Sequence, residues 1–149
     1  MGGGRSRGKV LIVEDEFLVA LQLEDILIDA GYDTVGTIAD REGVRKIVEA
    51  PQLALVDLNL RDGLSGPQIA RELAEIYGAR IVYVTANPNQ IDEPAPTAVG
   101  IVQKPFTREA ILGAIHYALD PLDEPPAELE PLYFPNAASE RANFVGFSG

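Results

Sequence analysis

The stretch Leu53-Ala54-Leu55-Val56-Asp57-Leu58-Asn59-Leu60 decides how the rest of the chain is read. Four apolar residues in a row have the unbroken character of a strand buried on both faces, and a carboxylate stands where that strand ends. Three other runs share the form. Val10–Val13 leads into Glu14-Asp15-Glu16, Ile81–Val84 into Thr85, and Val99–Val102 into Gln103-Lys104-Pro105. A fifth run, Thr34–Ala39, leads into Asp40, which is read as a helix cap.

Segments of helical period lie between these runs. Leu18, Leu21, Ile26 and Leu27 mark a helix within 16–30, closed by Gly31. Val44, Ile47 and Val48 mark a second, which Asp40 can cap. Ile69, Leu73 and Ile76 mark a third, starting near Ser65-Gly66-Pro67 and ending at Gly78. Thr107 can cap a last helix carrying Ile111, Ala114, Ile115 and Leu119. Strands alternating with helices in a chain of 149 residues predict βαβ crossovers and a five-stranded parallel sheet. The fourth crossover, residues 86–98, carries prolines 88, 94 and 96. Proline inside a helix removes a hydrogen bond and clashes with the preceding turn, so at most a turn or two of helix is expected around Gln90–Glu93.

Composition narrows the function. Without cysteine there is no disulfide framework, no thiolate metal site and no thiol nucleophile. A net charge of −11 repels phosphate backbones, so no nucleic-acid partner is expected. The apolar run after the glycine-rich, basic start is too short for a signal peptide or membrane span, and a cytoplasmic protein without membrane contact is the expectation. His116, on the last helix, is read as a surface residue and not as a phosphodonor.

In an open parallel sheet, ligands bind beyond the carboxyl ends of the strands, where the winding reverses. Carboxylates crowded at that edge repel one another, so one must be protonated, paired or bound to a cation. Oxygen-only ligands favour Mg²⁺, commonly held by one or two carboxylates together with a phosphate. A metal so placed offsets the charge of phosphoryl oxygens and lets the Asp57 carboxylate attack phosphorus, forming an acyl phosphate. Lys104 supplies a point charge for a phosphoryl oxygen, and Thr85 a hydroxyl donor.

The runs V-L-I-V-E-D-E, L-V-D-L-N-L, V-T-A and Q-K-P-F, in this order, resemble the response-regulator receiver family over roughly residues 9–119. The resemblance implies a doubly wound, flavodoxin-like sheet of strand order 2-1-3-4-5, here with a shortened or irregular fourth helix. It implies Asp57 as phosphoacceptor, Asp15 as direct metal ligand and Glu14 as a ligand through water. It also implies the Asn59 backbone carbonyl as a ligand, Thr85 as switch hydroxyl, Ala86 as the small residue opening the site, and a Lys104–Pro105 peptide that is often cis. The usual switch aromatic is replaced by Ile101, whereas Tyr83 stands two residues before Thr85. That arrangement is partly similar to the FAT GUY receivers, which include many stand-alone regulators and the receivers of alphaproteobacterial general-stress regulators. Tyr83, Thr85 and Ile101 are therefore the candidate switch residues.

The implied function is a single-domain response regulator, not an enzyme beyond its own phosphorylation and dephosphorylation. Its expected partners are a sensor histidine kinase or histidine phosphotransfer protein and a downstream protein target; the expected state is a monomer or weak dimer. The alternative is a receiver-like interaction module that works without phosphorylation. A haloacid-dehalogenase-type phosphatase needs an acid where Asn59 stands. An FMN-binding flavodoxin needs a phosphate-cradling loop where this chain has Glu14-Asp15-Glu16. Residues 1–8 are expected to be flexible, and residues 120–149, rich in proline and acid, to form a tail. Four of the chain's ten aromatics, Tyr133, Phe134, Phe144 and Phe147, lie in that tail. Their presence suggests that it packs back beside the fifth strand and last helix, or does so on a neighbouring copy.

Overall fold

A computed structural model describes residues 6–121 and 124–132. The elements follow in the order β1 (Lys9–Val13), α1 (Phe17–Asp29), β2 (Asp33–Ile38), a 3₁₀ helix (Arg41–Lys46), β3 (Leu53–Val56), α2 (Gly66–Tyr77), β4 (Arg80–Thr85), a 3₁₀ turn (Pro88–Gln90), β5 (Ala98–Gln103) and α3 (Arg108–Leu119). The five strands pair in parallel in the order β2-β1-β3-β4-β5. This is the doubly wound receiver-type sheet that the resemblance implies.

Alternation along each strand divides the interior into two layers. Val10, Ile12, Leu53, Leu55, Val82 and Val84 pack with α1 and α3 on one face. Leu11, Val13, Ala54, Val56, Ile81 and Tyr83 pack with α2 on the other. Continuous apolar runs are thus the signature of a sheet covered on both sides, and only their ends are free to carry polar chemistry.

The helix boundaries follow local chemistry. Thr107 accepts a hydrogen bond from the Ala110 N–H and caps α3. The α2 helix starts at Gly66-Pro67 and ends at Gly78, whose φ of 65° places it in the left-handed region. Ser65 precedes α2, but its hydroxyl donates to the Asp62 carboxylate and makes no cap.

Several expectations need correction. The segment after β2 is not an α-helix but a 3₁₀ helix, although Asp40 does cap it by accepting from the Gly43 N–H. Gly43 has poor helix propensity, Val44, Ile47 and Val48 are β-branched, and Pro51 closes the segment only a few residues later. Val48 consequently faces solvent at 94% exposure instead of joining the core. Leu18, Leu21 and Ile76, which mark helical faces in the sequence, are also exposed. The fourth crossover, as expected of its prolines, holds only a short 3₁₀ turn, Pro88–Gln90, which overlaps the expected stretch at Gln90, and no α-helix is present there. Among the contacts that tie down this loop, the buried one is to Tyr83, whose hydroxyl oxygen accepts from the Ala95 N–H at 2.9 Å, with the Arg71 side chain donating to the Glu93 carbonyl at 3.1 Å.

The described residues before Lys9 are tied to the domain. The Arg7 N–H donates to the Gly31 carbonyl, and the Arg7 guanidinium lies 5.1 Å from the Tyr32 ring centre. At the other end, Pro126 lies near Gly113 of α3, the Leu129 N–H closes a turn on the Pro126 carbonyl, and Leu129 and Glu130 meet β5. Ile101 and Glu130 exchange backbone hydrogen bonds as an antiparallel bridge, and Leu129 is buried. Tyr133, Phe134, Phe144 and Phe147 fall outside the described residues.

Candidate functional site

The strand register brings the polar ends of β1, β3, β4 and β5 to one edge of the sheet. Val13 pairs with Val56, so Glu14 and Asp57 emerge side by side, and the Asp57 N–H donates to the Val13 carbonyl at 2.9 Å. Thr85 pairs with Gln103, and the Lys104 N–H donates to the Thr85 carbonyl at 2.9 Å. The backbone ladder therefore sets the positions of the acceptor, the acids and the lysine before any side chain interacts. The Lys104–Pro105 peptide is cis, as the resemblance implies.

Glu14, Asp15 and Asp57 each offer a carboxylate oxygen, and the three oxygens lie within 4.8 Å of one another. Glu14 and Asp57 are buried, whereas Asp15 is exposed. Lys104 bridges the buried pair: its Nζ is 2.8 Å from Glu14 Oε1 and 3.0 Å from Asp57 Oδ2. Glu14 Oε2 accepts from the Glu16 N–H, and Asp57 Oδ1 from the Leu58 N–H at 2.7 Å. Glu14 thus engages the start of α1 while also serving the cluster.

The electrostatics follow from this arrangement. Burial pushes the Glu14 carboxyl above its usual range, although the Lys104 ammonium and the Glu16 N–H pull it down. Burial alone would lower Lys104, but its hydrogen bonds to Glu14 and Asp57 and their charges outweigh that, holding it above its ordinary value. One ammonium serving two carboxylates beside a third leaves the cluster short of positive charge. Oxygen donors at this separation are compatible with a small hard cation such as Mg²⁺, for which Asp15 and Asp57 would be the more accessible side-chain ligands, Glu14 being more enclosed.

Asn59, Thr85 and Ala86 stand at the same sheet edge, while Tyr83 and Ile101 lie further back along their strands. Asn59 is exposed two residues beyond Asp57, and its side-chain amide donates to Gln90 Oε1 at 2.7 Å. Thr85 is fully buried, and its Oγ1 accepts from the Asn87 N–H at 3.0 Å, which leaves its own hydrogen to donate. Ala86 is exposed at the rim. Tyr83 and Ile101 are register partners on β4 and β5, away from the carboxylates. Burial raises the Tyr83 hydroxyl pKa, and its bond to Ala95 anchors it to the loop.

The profile of the response regulator receiver domain matches residues 10–116. The chain belongs to the receiver-domain family. This receiver is 30% identical over 115 residues to the phyllosphere-induced regulator PhyR of Methylorubrum extorquens, covering 74% of this chain and 43% of that protein. It is 32% identical over 118 residues to the transcriptional regulatory protein PdtaR of Mycobacterium tuberculosis, covering 74% of this chain and 56% of the other. The receiver thus spans about half the length of the curated relatives it matches. The solution structure of the PhyR receiver domain from Erythrobacter litoralis superposes with a TM-score of 0.70 at 35% identity, covering 82% of this chain and 97% of that one. Among the described residues, no helix is long and apolar enough to cross a membrane.

Two residues next to the site escape the sequence reading. Gln90 holds Asn59, and only folding of the fourth crossover over the sheet edge brings them together. Gly66 reads as a helix start, yet a Cβ there would fall on the Asp57 carbonyl and the Leu58 Cα. A glycine directly before proline at a helix start is the only sequence signal for that close approach.

Proposed function

We propose that this receiver is a phosphoacceptor switch in which Asp57 takes a phosphoryl group from a phosphohistidine donor in a Mg²⁺-dependent reaction. The observation that supports this most is the cluster itself: three carboxylates within 4.8 Å at the carboxyl edge of the sheet, two of them bridged by one lysine. Mg²⁺ held by Asp15, Asp57 and the Asn59 carbonyl, with Glu14 acting through water, would supply positive charge against both the carboxylates and the phosphoryl oxygens.

Asp57 attacks phosphorus with a carboxylate oxygen. The donor's P–N bond breaks, its electron pair stays on the imidazole nitrogen, and an acyl phosphate forms. Lys104 turns from the Asp57 carboxylate to a phosphoryl oxygen, and the Thr85 hydroxyl donates to another. Hydrolysis of the acyl phosphate restores Asp57, so the chain catalyses only its own phosphorylation and dephosphorylation. The donor is a sensor histidine kinase or a histidine phosphotransfer protein. The output is contact with a target protein, or a sink for phosphoryl groups. A PhyR of Bartonella quintana, 27% identical over half of its chain, is described as an anti-anti-sigma factor, and a protein target of that general kind suits an acidic receiver.

Acetyl phosphate labelling tests the proposal. The parent is expected to take one acid-labile phosphoryl group when Mg²⁺ is present and none in its absence. Asp57→Asn is expected to take none, and Asp15→Asn to bind Mg²⁺ more weakly and label slowly. Metal-independent labelling, or labelling of Asp57→Asn, refutes the assignment. A parent that binds Mg²⁺ but is never labelled supports the phosphorylation-independent interaction module instead.

A further inference from the structure

β5 is an edge strand of the sheet, and an edge strand leaves a row of backbone donors and acceptors open to pairing. Here that edge is occupied by the chain's own later residues. The Ile101 N–H donates to the Glu130 carbonyl at 2.9 Å, and the Glu130 N–H to the Ile101 carbonyl at 2.7 Å. Leu129 enters the core layer of α1 and α3 at 7% exposure, while Leu132 packs against the opposite layer. The segment therefore straddles the sheet edge and closes both layers at once.

The receiver is shaped for this segment. Gly100 lies in the middle of β5, where glycine weakens a strand unless another backbone or side chain must come close. A Cβ at Gly100 would stand 2.6 Å from Leu129 Cγ and 2.9 Å from the Glu130 oxygen. Gly113, inside α3, faces Pro126, which a Cβ there would just touch at 3.5 Å. The sequence thus gives up strand propensity at Gly100, where the segment crosses β5, whereas Gly113 is in ordinary contact distance of Pro126.

The hold is also slight. One bridge joins the segment to β5 instead of a continuous ladder, and a groove of ≈ 370 Å³ bordered by Pro88, Ile91, Ile101, Pro131 and Leu132 stays open beside it.

We propose that the β5 edge is a peptide-docking surface that this chain fills with residues 126–132, so that a partner's extended segment carrying leucines three residues apart binds there only by displacing them. Main-chain pairing supplies affinity in such strand addition, and the pockets for the side chains supply selectivity. A segment held in cis lowers the apparent affinity of any competitor by the fraction of time the seat is free. This inference does not depend on phosphorylation of Asp57.

The full-length chain tests it through two variants acting from opposite sides, Leu129→Asp in the segment and Gly100→Ala in the seat. Amide exchange is read at Ile101, which bonds to Glu130, and at Val102, whose register partner is Val84 of β4. Ile101 exchange is expected to speed up by about tenfold or more in both variants, with Val102 unchanged. A labelled peptide with the sequence of residues 124–132 is expected to bind Leu129→Asp about tenfold or more tighter than the parent. Adding Gly100→Ala to Leu129→Asp is expected to abolish that binding. Unchanged Ile101 exchange, or equal peptide binding by the parent and Leu129→Asp, overturns the proposal. Ile101 protection that falls on dilution would place the segment on a second copy and overturn its docking in cis.

Discussion

Replacing Lys104 by methionine keeps much of the side chain's length and removes its charge, leaving two carboxylates without their shared cation. The Glu14 side chain is 1% exposed and that of Asp57 11%, so water cannot take over from the ammonium. Removing one partner of a buried pair costs about 3–5 kcal/mol, because the remaining charge stays buried and uncompensated. Each carboxylate keeps one backbone N–H, from Glu16 and Leu58, which places the expected loss near the lower end, about 3 kcal/mol. That is a large share of the roughly 5–15 kcal/mol that stabilises a domain. The sign of the pH dependence is set by Glu14, whose carboxyl burial already raises. A raised acid stabilises the fold below its unfolded value, 4.5, and this contribution is lost as pH rises through the folded value. Loss of Lys104 raises Glu14 further, so the penalty is expected to be largest near neutral pH and to fade below 4.5. Lys104 itself is raised above 10.5, so the parent keeps the full contribution at neutral pH and loses it only in strong alkali. Mg²⁺ is expected to relieve the penalty, and the variant to bind the ion more tightly than the parent, since its competitor for the same oxygens is gone. Urea unfolding with and without Mg²⁺, near neutral pH and below 4.5, measures all of this. Equal midpoints for the metal-free variant and parent at neutral pH would refute the reasoning.

Tyr83→Phe removes the acceptor of the Ala95 N–H inside the core, at an expected loss of about 1–3 kcal/mol, with faster amide exchange confined to residues 87–97. Unchanged exchange at Ala95 would show that the loop is anchored elsewhere. Gly66→Ala drives a methyl group into the Asp57 carbonyl; it is expected to cost about 1–3 kcal/mol and to slow acetyl phosphate labelling by moving the acceptor, and normal labelling would contradict that. Asp40 is held below the usual range first by the Arg61 side chain, and Asp62 first by the Ser65 hydroxyl and then by the Arg41 N–H. Their contribution is present above 3.8 and lost as pH falls through the lower folded values, so the Arg41 and Gly43 amide signals are expected to titrate with midpoints below 3.8. Midpoints at 3.8 would mean that these contacts are not kept in solution.

The sequence by itself determined the sheet and the edge on which its chemistry lies. A run of four apolar residues ending in Asp57, repeated in form at Glu14, Thr85 and Lys104, can satisfy burial on both faces only as a parallel strand covered by helices, and its polar end must then meet the others at one edge. Those constraints are local and periodic, so they are legible in one dimension. The exposure of Leu18, Leu21 and Val48 was not legible, because helical spacing shows that a face is apolar without showing whether anything covers it. The 3₁₀ helix after β2 was equally hidden, since short segments take their conformation from the packing around them. Lys104 bridging Glu14 and Asp57 needed the strand order and register, which bring residues 90 and 47 positions apart within hydrogen-bonding distance. The pairing of Gln90 with Asn59, and of Glu130 with Ile101, likewise exists only after the chain has closed on itself. A hydrogen bond between distant residues leaves no periodic trace in sequence: the aromatic-rich tail pointed to the fifth strand, but only the tertiary structure decides that Glu130 pairs with Ile101 and that Leu129 enters the core.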